Sequence, residues 1–75
     1  MEAGLDSIRP GMRAVVMQVQ EKAIIAEHLR QIGLAPGVVV YCRYRSPGGS
    51  IIILEFRDQA MALRARDLKK IRVAM

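Results

Sequence analysis

The chain has 75 residues, enough for one small domain spanning 1–75 and too few for two cores. An apolar fraction of 52% supplies a core and argues against disorder. The longest uncharged region, around Ile32–Cys42, is broken by Gly33, Pro36 and Gly37 and falls short of a membrane-spanning helix. Glu2 and Asp6 near the start do not fit the basic-then-apolar order of a signal peptide. A single cysteine, Cys42, excludes an internal disulfide and any multi-cysteine metal or cluster site. These features describe a small cytosolic protein. Lysine and arginine number 12 against 7 acidic residues, a net charge of +5. The excess is concentrated from Arg57 onward, where Arg57, Arg64, Arg66, Lys69, Lys70 and Arg72 face only Asp58 and Asp67. Such a balance points to nucleic acid, an anionic membrane face or an acidic protein as partner.

In chain order, Leu5 and Ile8 precede a first turn at Pro10-Gly11 and could cover the bottom of a barrel. A strand follows from Met12 to Val19, with apolar Val15, Met17 and Val19 at odd positions and Arg13 and Gln18 outward, although Val16 blurs the alternation. Glu21–Ile32 is a helix. Ile25, Leu29 and Ile32 form its apolar stripe, with Lys22, Glu27, Arg30 and Gln31 largely off it. Gly33 suits the left-handed position just past the last turn, Leu34 folds back onto Leu29, and Pro36 cannot continue the helix. Val38–Arg45 is a β-branched and aromatic strand with Val40 and Cys42 on its inner face and Arg43 and Arg45 on its outer face. Ser46-Pro47-Gly48-Gly49-Ser50 turns it into a returning strand, Ile51–Phe56. A shorter strand at Gln59–Leu63, a helical turn at Arg66-Asp67-Leu68 and a last strand at Ile71-Arg72-Val73 complete the chain. About five strands, one helix and one short turn describe a mostly β fold, a small and strongly bent barrel.

No constellation carries chemistry. Pro47-Gly48-Gly49 is followed by a strand and lacks the Lys-Ser/Thr of a phosphate-binding loop. His28, Glu27 and Cys42 are the soft or borderline ligands available, at no metal-site spacing, and Cys42 reads as a small buried hydrophobe. Ser7, Ser46 and Ser50 are turn or cap residues, and no acidic pair has a partner base, so an enzyme is not expected. Met1, Met12, Met17, Met61 and Met75 are scattered, as core filler is. Tyr41, Tyr44 and Phe56 offer few stacking platforms and the one helix spends its apolar face on the core, which disfavours nucleic acid.

The same landmarks resemble the ferrous iron transport protein A (FeoA) family. Leu5…Ile8-Arg9-Pro10-Gly11 before a strand is similar to its opening. Leu29-Arg30-Gln31-Ile32-Gly33-Leu34-Ala35-Pro36-Gly37 resembles its helix-to-strand signature, Ser46-Pro47-Gly48-Gly49 its hairpin turn, and Ala62–Leu68 its closing strand and helical turn. Ile51, where a proline is expected, and Ala14, where glycine is common, depart from the pattern. The resemblance implies an SH3-like barrel, with the helix between the first two strands and the short helical turn before the last. It further implies a cofactor-free, non-catalytic accessory protein of the membrane transporter FeoB, acting through the transporter's cytosolic GTP-binding region. The same domain ends iron-dependent repressors, but the absence of a preceding DNA-binding domain makes a free-standing accessory the expectation. Leu29, Gly33, Pro36 and Gly37 shape the helix–strand corner, Pro47 and Gly48 the hairpin turn, and Leu63 and Leu68 close the barrel. A partner-binding surface is expected at Leu34-Ala35-Pro36 and at Tyr41, Arg43 and Arg45, Tyr and Arg being favoured interface anchors. On the alternative reading Tyr41 covers an edge and the arginines only confer solubility. A metal carrier or sensor, or a basic nucleic-acid-binding module, stays open, as does self-association through exposed strand edges.

Overall fold

The computed structural model describes residues 1–19 and 24–75, the side chains of residues 24–26 excepted. Strands β1 (Glu2–Gly4), β2 (Arg13–Val19), β3 (Val39–Arg45), β4 (Ile51–Phe56), β5 (Gln59–Arg64) and β6 (Ile71–Ala74) accompany one helix, α1 (Ile24–Gln31). Two 3₁₀ turns, Leu5–Ser7 and Ala65–Leu68, follow β1 and β5. The start of the expected helix at Glu21, the position of Lys22 and the burial of Ile25 lie outside the described residues.

All pairings are antiparallel and run in the order β1-β6-β2-β3-β4-β5. β1 and β5 are therefore the two edges, and the sheet is open. This corrects the expected barrel of about five strands. Three residues carry no alternation, so nothing in the sequence marks β1 as a strand. It exists because β6 recruits it from the far end of the chain, pairing Glu2 with Ala74 and Gly4 with Arg72. As a result α1 lies between the second and third strands, not the first and second. The edge strands are not joined by hydrogen bonds. Instead the 3₁₀ turns that continue them pack on one another, with Leu5, Ile8 and Leu68 wholly buried. The end of the fold is thus sealed by side chains, which need no strand register.

One irregularity in each of two neighbouring strands bends the sheet. In β2 the register shifts between Val16 and Gln18, so that Met17 is the extra residue. In β3 it shifts between Cys42 and Tyr44, making Arg43 the extra residue. A bulge reverses which side chains face inward beyond it. Before the β2 bulge the even positions Ala14 and Val16 are buried, and after it Val19 packs on the core. The odd-numbered apolar set of Val15, Met17 and Val19 therefore does not share a face, and Met17 is 48% exposed. In β3, Val40 and Cys42 are buried as expected. Beyond the bulge Arg45 stands opposite buried Ile52, on the inner side, contrary to its expected outward placement. Its Nη1 donates to the carbonyls of Asp6 at 2.7 Å and Ile8 at 2.8 Å, tying the central hairpin to the first 3₁₀ turn.

The helix end follows the expected rule. Leu34 N–H donates to the Leu29 carbonyl and Gly33 N–H to that of Arg30, both at 3.0 Å, and Gly33 has φ +107°. Leu29 and Leu34 are both buried, so a hydrophobic contact accompanies this Schellman cap. The chain then turns at Ala35-Pro36-Gly37-Val38, where Val38 N–H donates to the Ala35 carbonyl at 3.1 Å. Pro at the second and a positive-φ glycine at the third position make this a type II turn. The β4–β5 hairpin is closed by Arg57 and Asp58, both at positive φ (51° and 62°), as a two-residue type I′ turn demands.

Three stability changes follow. Gly33→Val should cost about 1–2 kcal/mol in urea unfolding, because a Cβ there would also sit 2.9 Å from Arg57 Cδ; an unchanged midpoint would contradict the cap. Asp58→Gly should stabilise by about 0.5–1 kcal/mol, glycine being at ease where aspartate is strained, read as a higher midpoint at constant slope. Arg45→Met should destabilise by about 1–3 kcal/mol through loss of two charge-assisted hydrogen bonds, whereas a surface arginine would change little.

Candidate functional site: the outer sheet face

With the inner face committed to the core, the outer face of β2–β5 is what the fold presents. Register places Arg13, Tyr41, Glu55 and Ala60 in one row across it, and Tyr44, Ile53 and Ala62 in the next. Val15 pairs with Val39 beyond the first row, and Ile51 with Arg64 beyond the second. Val39 and Tyr44 are 54% and 47% exposed, while Val15, Tyr41, Ile51 and Ile53 are half-buried. An apolar, tyrosine-bearing surface with a charged margin results. On that margin Arg43 Nη1 lies 2.7 Å from Glu55 Oε2, an exposed pair that orients both side chains and contributes little stability.

The expected partner-binding residues divide. Tyr41 and Arg43 belong to this face, and Arg45 is turned inward onto backbone carbonyls. At the corner, Leu34 is fully buried in the core, Ala35 is half-buried and Pro36 exposed. Among the residues expected to shape the fold, Leu29 and Leu68 are core, Leu63 packs against it, and Pro47 and Gly48 stand exposed in the hairpin loop. Within that loop Ser46 Oγ accepts from Ile51 N–H at 3.0 Å, a turn and not an anion cradle.

The structure adds Val39, Tyr44 and Met17 to the surface. The tyrosine stood in the strand sequence, but its outward direction depends on the Arg43 bulge. It also shows a shallow cleft of about 340 Å³ lined by Ser50, Ile51, Arg64 and Arg66. Ile51 and Arg64 come together only through the β4–β5 register, for which sequence periodicity carries no signal. His28 is exposed on α1 and Cys42 is buried. Burial pushes the Cys42 thiol up, against smaller opposing effects of its contact with the Tyr44 carbonyl (Sγ to O, 3.7 Å) and of Arg45. Among the described residues no three His, Cys, Asp or Glu side chains converge as metal ligands, and no helix is long and apolar enough to cross a membrane.

The fold has close counterparts. A FeoA-like protein from Clostridium acetobutylicum matches with a TM-score of 0.90 at 22% identity, over 97% of this chain and 85% of that one. The Stenotrophomonas maltophilia FeoA complexed with zinc, described as a prokaryotic SH3 domain protein, matches at 0.84 and 28% identity, over 95% and 88%. A manganese-dependent transcriptional repressor matches at 0.87 and 15% identity, over 97% of this chain and 40% of that one; at that identity the likeness is one of fold alone. No curated protein matches. The FeoA domain family matches residues 4–75, nearly the full length, and the chain belongs to that family.

Proposed function

We propose that this chain is a non-catalytic accessory protein of bacterial ferrous iron uptake, a single cytoplasmic FeoA-like unit over 1–75 that binds a FeoB-type transporter at its cytosolic GTP-binding region. The FeoA domain match supports the biological setting, as does the Stenotrophomonas maltophilia relative, described as a candidate activating factor of bacterial ferrous iron transport. The observation that carries the mode of action is the outer sheet face. It is a surface of Val39, Tyr41, Tyr44 and Ile53 that the chain's own core leaves uncovered, flanked by Arg13 and the Arg43–Glu55 pair. Exposed aromatics beside arginines are the usual energetic anchors of a protein interface. Arg45 has no part in this surface, and of the corner only Ala35 and Pro36 are within reach of a partner.

Titration of the purified protein against the isolated GTP-binding region, with and without nucleotide and at two salt concentrations, tests the reading. Saturable binding is expected. Tyr44→Ala and Arg43→Glu should each weaken it about tenfold or more, ~1.4 kcal/mol, with melting temperatures close to that of the parent. Unchanged affinity for both variants would remove this face as the contact.

A further inference from the structure

The two edges of the sheet are protected unequally. β1 has three residues, a length that offers little to an incoming strand. β5 has six and, among the described residues, pairs with β4 alone. Its ladder runs without interruption from Ile51↔Arg64 to Phe56↔Gln59. The strand Gln59-Ala60-Met61-Ala62-Leu63-Arg64 contains no lysine, proline or bulge, the devices that usually block edge pairing.

The direction of its free backbone groups follows from the hairpin. In a two-residue turn the closing pair, Phe56 and Gln59, exchanges both hydrogen bonds, and alternate pairs do so thereafter. The bond from Ala65 N–H to the Ser50 carbonyl at 2.9 Å keeps the same phase at the other end. The N–H and C=O groups of Ala60, Ala62 and Arg64 therefore face the open edge. All three residues are exposed, and two are alanines, small enough for another backbone to approach.

Charge selects the occupant. Arg64 and Arg66 border the cleft beside the end of β5, and neither enters an ion pair among the described residues. Self-pairing of two β5 strands would join two chains of net charge +5, which opposes a homodimer. We propose that β5 is a strand-addition site for an extended, acidic segment of a partner protein, held by the free backbone groups of Ala60, Ala62 and Arg64, with a carboxylate of the segment seated between Arg64 and Arg66. The edge offers the backbone groups of β5 and the outer face offers side chains centred on β3 and β4, so the inference stands whichever protein supplies the segment.

The test uses the full chain and a blocked eight-residue peptide alternating threonine or valine with glutamate, with its lysine counterpart as control. The acidic peptide should bind saturably, more weakly as salt rises, and slow amide exchange at Ala60, Ala62 and Arg64 at least tenfold, while the lysine peptide does not bind. Ala62→Pro removes an edge N–H without breaking a ladder bond, as edge strands tolerate, and should abolish binding. If that variant fails to fold, the exposed double variant Arg64→Glu/Arg66→Glu should lose the acidic peptide and gain the lysine one. No binding, binding that protects other amides while leaving β5 unchanged, or concentration-dependent self-pairing through β5 in the free protein would each overturn the proposal.

Discussion

The geometry of this molecule depends on how one sheet, aided by a single helix, bends far enough to enclose its own core. Two extra residues in adjacent central strands, Met17 in β2 and Arg43 in β3, provide the bend. Each bulge sharpens the local twist and reverses the inside–outside order beyond it. That reversal sends Tyr44 outward and Arg45 inward, so the shape of the core and the composition of the outer surface have one cause. Arg45 then satisfies carbonyls of the first 3₁₀ turn, which anchors Leu5 and Ile8 over the open end of the core.

Closure is achieved by packing. Joining β1 to β5 through hydrogen bonds would require complementary register between strands of three and six residues. Contact between the two 3₁₀ turns has no such requirement and buries Leu5 and Leu68 completely. The sheet therefore keeps an edge, and its exposed backbone is concentrated in β5. The surfaces that the fold leaves uncovered are the tyrosine-bearing outer face and the β5 edge.

What the sequence determined by itself is local. The glycine and leucine beyond α1, the Pro-Gly turn and the Ser46–Ser50 hairpin loop rest on conformational preferences of a few consecutive residues, and they are where the pattern places them. The family signature rests on the same punctuation, which is why membership was legible in a chain this short. The inward placement of Val40 and Cys42 was also legible, because it precedes the β3 bulge. Tertiary structure decided the rest. The β2 alternation misled because Met17 breaks its period, and β1 exists only through β6, some seventy residues away. Arg45 and Leu34, both expected to meet a partner, were drawn inward by a bulge and by a helix cap. Whether the sheet closes was decided by which ends can pair, and the pocket between Arg64 and Ile51 by the register of a hairpin. These are long-range pairings, set by the burial of the whole core and not by any window of neighbouring residues.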